Sequence, residues 1–385
     1  MNVPKNKILP GPVVLFGSGE TSPSGRKVFE VIFRKMSSSP QVALLETPAG
    51  FELNSDQVIG RVGEFLQVRL QNHQPRINIV RARALGTPLS PDNPEIVAPL
   101  LEADMIFMGP GSPTYAVRQL RDSLAWQILL ARHRLGAALV LASAATVAVS
   151  TFVLPVYEIY KVGEDLHWKD GLDFFGPYGL PLVFVPHWNN NDGGEELDTS
   201  RCFMGQSRFA RLMEMLEADL TVLGIDEKTA LIMDIQAGIG QVIGLGGVTL
   251  IHTGHAHRRS SMQPELEGSG LAEVADQRSG HVHYYHNGES FPLSECCPLE
   301  IPEFGVGLAP EIWQQALDRL EAQLAAKTQS PATKPTPPEV LALVAERQAA
   351  RGHQDWAASD ALRGQIEALG WAVKDSPDGP VVEKI

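Results

Sequence analysis

Short apolar runs recur through the first 235 residues: VVLF from residue 13, QVALLE from 41, INIV from 77, ADMIFMG from 103, AALVLA from 137, PLVFVP from 181, LTVLGI from 220 and TALIMD from 229. Amphipathic stretches separate them. That alternation predicts strand–helix units and a mainly parallel sheet covered on both faces, a doubly wound α/β fold. Two of the helices are legible in detail. Ser112 before Pro113 reads as an N-cap and first helical residue, continued by YAVRQL. In SLAWQILLARHR the apolar residues Leu124, Ile128 and Leu129 repeat at helical spacing, and the basic residues gather at the C-terminal end, where the helix dipole favours them.

After about residue 255 the periodicity weakens, and Gly, Ser, His and Pro dominate as far as Pro310. One amphipathic helix, EIWQQALDRLEAQLA, follows, then KTQSPATKPTPP, whose composition predicts an extended, solvated linker. From Glu339 the chain reads as helix, break at Gly352, helix to about Leu369, and a β-like tail turning at Pro-Asp-Gly. Val340, Leu341 and Val344 are spaced to face Ala361, Ile366 and Leu369 across a helical hairpin. The expected organisation is an α/β domain over 1–255, an irregular extension over 256–326 ending in a helix, a linker over 327–337 and a small hairpin domain over 338–385.

Composition narrows the class. A net charge of −13 over 385 residues argues against a protein that grips nucleic acid through a non-specific basic face. The three cysteines, Cys202 and the adjacent Cys296 and Cys297, form no disulfide framework and point to a reducing compartment. No apolar stretch of signal-peptide type precedes the first turn, and no run reaches the length of a membrane span. The expectation is a cytoplasmic protein with no membrane partner.

In an open α/β sheet, ligands bind beyond the carboxyl ends of the strands. Three reactive side chains fall at such ends: Ser143 after ALVLA, His187 after PLVFVP and Glu227 after TVLGID. A serine nucleophile needs an imidazole base and a carboxylate that orients the imidazole. Ser143 alone fits an ordinary helix N-cap equally well. Glu20, Asp192 and Asp226 stand as alternative carboxylates. The N–H groups of Ala144 and Gly111 are the candidate oxyanion donors, since Pro110 has none. The glycines at 17, 19, 109 and 111 read as tight turns, because no full Gly-x-Gly-x-x-Gly follows a strand. His252, His255, His257, His281, His283 and His286 share the spacing of strand-borne metal ligands. No cysteine or carboxylate accompanies them, so they are read as exposed or packing residues, with no metal and no cofactor assigned.

LFGSGE near the start, FMGPGSPTYAVRQL, the serine turn, HW after PLVFVP, and GIDEKTAL together resemble the cyanophycinase and dipeptidase E (α-aspartyl dipeptidase) family of serine peptidases, over roughly the first 250 residues. The resemblance implies a fold like that of class I glutamine amidotransferases, with Ser143 as nucleophile, His187 as general base and Glu227 as third member; Trp188 and Asn189, which open the polar stretch after the histidine, are the candidate substrate contacts. It also implies cleavage of short peptides or polymers next to aspartate without metal or cofactor. The chain departs from the family at two places. Leu141-Ala142-Ser143-Ala144-Ala145 replaces the common Gly-x-Ser-Ala-Gly, which predicts a looser or differently packed turn. Val185-Pro186 replaces Asp-Gln, and the polar insertion WNNNDGGEELDTSRCF then has to rebuild the rim.

The last 47 residues carry ER-x-AAR, DWA-x-x-DALR, a Gly-Trp turn and Asp-x-x-Asp-Gly, and resemble the C-terminal anticodon-recognition module of cysteinyl-tRNA synthetases. The catalytic phrases of a class I synthetase are absent upstream. Five basic residues against eight acidic ones make tRNA a weak partner for this module, and a structural or protein-docking use the favoured one. The leading expectation is a serine-type hydrolase that cleaves a small peptide or related amide through an acyl-enzyme. The alternative is a non-catalytic ligand- or partner-binding protein whose tail associates with tRNA or translation.

Overall fold

The computed structural model describes residues 9–36, 38–216, 219–253, 282–303, 305–329, 337–376 and 379–384. The chain divides into two compact units, 1–321 and 322–385. The strands of the large unit are β1 (Val13–Phe16), β2 (Gln41–Leu45), β3 (Arg76–Val80), β4 (Met105–Met108), β5 (Ala138–Ala142), the short β6 (Phe152–Val153) and β7 (Lys169–Asp170), and β8 (Leu182–Val185). They continue with β9 (Thr221–Ile225), β10 (Thr229–Asp234), β11 (Ile239–Gly244), β12 (Gly247–His252), β13 (Val282–His286) and β14 (Ser290–Pro292). Its helices are α1 (Pro23–Phe33), α2 (Ser55–Arg69), α3 (Pro94–Val97), α4 (Pro113–Leu120), α5 (Leu124–Arg134), α6 (Ala144–Ala148) and α7 (Gly205–Glu214), with α8 (Pro310–Gln329) spanning the division.

The expected α/β architecture is present, with one difference in its sheet. Eight strands form the main sheet in the order β14-β11-β10-β1-β5-β4-β2-β3, of which β1 to β5 run parallel and β10, β11 and β14 antiparallel. Strands β8 and β9 leave it and build a second sheet, β13-β12-β9-β8. Every residue of β1, β4, β5, β8 and β9 is buried, as strands covered on both faces require. One face packs Phe16, Phe29, Phe33 and Phe107, and the other packs Leu139, Leu141, Phe174 and Phe184.

One expectation changes. The α/β domain does not close at residue 255, because β13 pairs with β12 and β14 with β11, so part of the extension completes both sheets. The basic residues at the end of α5, Arg132, His133 and Arg134, are all buried. Arg132 donates to the Ala103 carbonyl and Arg134 to that of Val306. Burial lowers the pKa of His133 to about 3, which keeps its imidazole neutral. The Ser112 cap agrees with expectation, its hydroxyl accepting from the Tyr115 N–H, and the Ser123 hydroxyl caps α5 in the same way by accepting from the Trp126 N–H.

The small unit pairs α9 (Pro338–Gly352) with α10 (Trp356–Ala368) and closes with the hairpin of β15 (Trp371–Ser376) and β16 (Gly379–Lys384). Its core is Val340, Val344, Ile366, Trp371 and Val373. Leu341, Ala361 and Leu369, expected to face one another, are exposed instead. The tail supplies the missing apolar surface through Trp371 and Val373, which moves the buried stripe of α9 to Val340, Val344 and Arg347. Among the described residues no helix is long and apolar enough to cross a membrane.

Phe29 sits at the centre of the aromatic layer, fully buried and within 6.5 Å, ring centroid to ring centroid, of Phe16, Phe33, Phe65 and Phe107. Phe29→Ala should lower unfolding stability by about 3–5 kcal/mol, because so many rings cannot collapse into the void. Urea denaturation read by far-UV circular dichroism measures it.

Candidate active site

Ser143 stands between β5 and α6 with φ 52° and ψ −110°, a backbone conformation that L-residues rarely adopt. Its hydroxyl makes no capping bond, which removes the N-cap reading. The turn reaches this geometry without the usual glycines. Ala142, Ala144 and Ala145 keep the crowding low, and Leu141 is buried in the core while Ser143 itself is partly exposed. Thr146 then staples the turn, its hydroxyl bonded to the carbonyls of Leu141 at 3.1 Å and Phe16 at 3.0 Å. The expected loosening is therefore different packing.

The Ser143 Oγ lies 2.9 Å from His187 Nε2, and His187 Nδ1 lies 3.2 Å from Glu227 Oε1. An ionised carboxylate only accepts, so Nδ1 carries the proton and Nε2 offers its lone pair to the serine hydroxyl. His187 follows β8 with φ 52°, donates its N–H to the Gly17 carbonyl, and rests its ring against Phe203. The bond from His187, helped by one from Asn190, holds the Glu227 carboxyl below its ordinary range despite partial burial. The three side chains named from the sequence are thus brought together.

Two residues that sequence reasoning did not single out in this role hold Glu227, one by its carboxylate and one by its backbone. Asn190 is buried and donates Nδ2–H to Glu227 Oε1 at 2.8 Å. Asn189, expected as a substrate contact, instead accepts the Glu227 N–H through its side-chain carbonyl at 2.8 Å. The signal was the asparagine run directly after His187. Trp188 is also corrected: it is only 5% exposed, lies edge-on to Phe209 and carries the Arg201 guanidinium 3.9 Å above its ring, so it is packing rather than pocket wall. Gly224 in β9 leaves a slot for the ring.

The alternative carboxylates are placed elsewhere. Asp226 accepts from the Gly247 N–H and the Tyr284 hydroxyl. Asp192 accepts from Asn190. Glu20 is partly exposed at the end of the turn after β1 and is not hydrogen-bonded to His187, whose two ring nitrogens are engaged.

The oxyanion candidates carry open N–H groups: among the described residues neither Ala144 nor Gly111 donates its N–H to a protein acceptor. Ala144 opens α6, where the first N–H groups have no helical partner. Gly111 has φ 145°, and a Cβ there would lie 2.0 Å from the Pro48 carbonyl oxygen, so no other residue fits. Helix α4, which Gly111 precedes, packs on α6. Of the six histidines, His255, His257 and His281 lie outside the described residues. His252 meets Thr221 Oγ1, and His283 and His286 are exposed on β13. Among the described residues no three His, Cys, Asp or Glu side chains are grouped to hold a metal.

Glu227→Gln should weaken the fold by about 1 kcal/mol at pH 7, a charge-assisted bond discounted for its partial exposure. Because the folded pKa lies below the ordinary 4.5, that contribution is present above pH 4.5 and is lost as pH falls through the lowered value. Urea melts of both proteins at pH 7 and pH 4 should show the difference shrinking at the lower pH.

Comparison with known proteins bears on the two units separately. A family model described as "Cysteinyl-tRNA ligase anticodon binding domain" matches residues 333–380. The chain is 44% identical over 54 residues to a cysteine–tRNA ligase of Chlamydia felis, covering 14% of this chain and 11% of the ligase. It is 50% identical over 48 residues to that of Methanosarcina acetivorans, covering 12% and 10%. The chain thus spans about a tenth of the length of these relatives. In structure it is similar to a peptidase from an acI-B1 Actinobacterium, with a TM-score of 0.53 and 19% identity over 74% of this chain and 97% of that one. That likeness establishes a peptidase-type α/β fold, and the C-terminal segment carries an anticodon-binding-like module.

Proposed function

We propose that the large unit is a serine-type hydrolase that cleaves a small peptide or related amide through an acyl-enzyme. The observation that supports it best is the pair of contacts in series, Ser143 Oγ to His187 Nε2 at 2.9 Å and His187 Nδ1 to Glu227 at 3.2 Å, with the serine on a strained turn. In this reading His187 takes the Ser143 proton as Oγ attacks the carbonyl carbon. Glu227 steadies the imidazolium, while the N–H groups of Ala144 and Gly111 receive the oxyanion. The imidazolium then returns the proton to the departing amine as the carbon–nitrogen bond breaks. Water, deprotonated by His187, hydrolyses the ester and releases Ser143. Every group involved belongs to this chain. We place the protein in the cytoplasm, in keeping with three free cysteines, two of them buried.

For the small unit we propose docking on a protein rather than gripping tRNA phosphates. Arg347 makes a bidentate pair with Asp375 at 2.8 and 3.0 Å, Arg351 joins the same carboxylate at 3.4 Å, and Arg363 pairs with Glu367. These guanidinium groups are engaged by carboxylates of the module, Arg347 and Arg351 sharing one, and phosphate affinity needs open cations. Exposed Trp356 and Leu341 offer apolar surface instead.

An alkyl fluorophosphonate should label the wild-type protein at Ser143, and Ser143→Ala should abolish labelling. On any amide found to be cleaved, His187→Ala should lower kcat by about 10⁴-fold or more with KM little changed. Folded wild-type protein that stays unlabelled overturns the hydrolase. In filter binding, total tRNA should be retained no more tightly than about 100 μM at 150 mM salt, and micromolar, steeply salt-dependent retention overturns the docking proposal.

A further inference from the structure

We propose that Asn190 is a positioning residue of the serine site: its side-chain amide, itself fixed by Asp192, holds the Glu227 carboxylate in the orientation that serves His187. This rests on the hydrolase reading above.

Three residues in a row after His187 bind the end of β9 and the connection that follows it. Trp188 donates its N–H to the Ile225 carbonyl at 3.1 Å, Asn189 Oδ1 accepts the Glu227 N–H at 2.8 Å, and Asn190 donates Nδ2–H to Glu227 Oε1 at 2.8 Å. The imidazole and the grip on its carboxylate therefore ride on one segment. Asn190 also donates its backbone N–H to the His187 carbonyl at 3.2 Å, which folds that segment back on the histidine.

The surroundings of the amide dictate which way it points. Asn190 Oδ1 accepts the Asp192 N–H at 3.2 Å, while Nδ2 lies 3.0 Å from Asp192 Oδ2 and 2.8 Å from Glu227 Oε1. Turned over, the amide would set its oxygen against two carboxylates and its NH2 group against an N–H, so only the first arrangement is bonded throughout. Both amide protons are then committed, one to each carboxylate. Asn190 is only 4% exposed, which keeps solvent from competing for them.

Glu227 needs this second hold. Its side chain is 29% exposed, so water offers the carboxylate an alternative to the imidazole. The bond from His187 Nδ1, at 3.2 Å, stands at the long end of the usual range of about 2.7–3.2 Å, whereas the bond from Asn190 lies well inside it. Oε1 receives both, so Asn190 fixes the very oxygen that the imidazole meets. Without that bond the glutamate turns toward solvent, and His187 loses the partner that keeps its proton on Nδ1 and its lone pair toward Ser143. Asn190 thus acts on the imidazole through Glu227, which separates it from a residue that merely shapes the loop.

A double-mutant cycle on full-length protein tests this, read as the second-order rate at which an alkyl fluorophosphonate labels Ser143 at pH 8. Asn190→Ala should slow labelling at least fivefold in the otherwise wild-type chain and by less than twofold in Glu227→Ala. A smaller effect in the first background, or a larger one in the second, overturns the proposal. Asn190→Leu, which keeps the bulk and removes the donor, should be as slow as Asn190→Ala; a rate restored to that of the wild type assigns the effect to packing and overturns it too. Should far-UV circular dichroism show that buried Asn190 does not tolerate replacement, Asp192→Ala, at an exposed position, takes its place in the same cycle. It should slow labelling at least twofold while Glu227 is present and not at all in Glu227→Ala, and any other result overturns the proposal. Wild-type protein left unlabelled overturns the hydrolase itself, whereas labelling that ignores Asn190 overturns this inference alone.

Discussion

Two consecutive carbonyls at the end of β1 are the constraint on which the site depends. Phe16 accepts from the Ser143 N–H and the Thr146 hydroxyl, and Gly17 accepts from the His187 N–H. Here the two sheets part. Strand β10 stays beside β1 while β9 turns away, and Glu227 lies in the short connection between them. Gly17 lets the backbones meet: a Cβ there would lie 2.1 Å from the Asp226 carbonyl oxygen. A larger residue would push β1 and the 225–228 connection apart and separate serine, imidazole and carboxylate together.

The geometry is strained where the side chains matter. Ser143 and His187 both have φ 52°, and Arg201, Cys202 and Phe203 follow one another at φ between 57° and 68°. Each such residue costs about 1–3 kcal/mol, which the surrounding packing must offset. That packing is visible: Trp188 and Phe209 anchor the loop after β8, and the N–H of Cys202 returns to the His187 carbonyl. Burial meanwhile makes the Cys202 thiol a poor acid, pushing its pKa up to about 12, so beside this histidine it serves as core rather than as a second nucleophile.

The small unit solves a different problem. A pair of helices this short buries little, and the β15–β16 hairpin adds the Trp371 ring and Val373 to their core. Arg347, almost wholly buried, is held by both oxygens of Asp375. That cation is committed to holding the fold.

Much of this was written in the chain. Buried parallel strands announce themselves as continuous apolar runs, serine N-caps by their position before a helical period, and the reactive side chains by standing at strand ends, because each of these signals is local. Ser143, His187 and Glu227 could be named for that reason. Whether they meet could not, since they lie 44 and 40 residues apart along the chain, and β5 belongs to one sheet while β8 and β9 belong to the other, so only the junction of the two sheets at the end of β1 brings them together. The same limit explains the misplaced residues. Trp188 and Asn189 are neighbours in sequence, yet one fills a slot over Gly224 and the other holds the Glu227 backbone, a division set by partners far along the chain. Local pattern determined which groups exist and which elements carry them; long-range packing decided which face each other, because burial and register are properties of the assembled sheets.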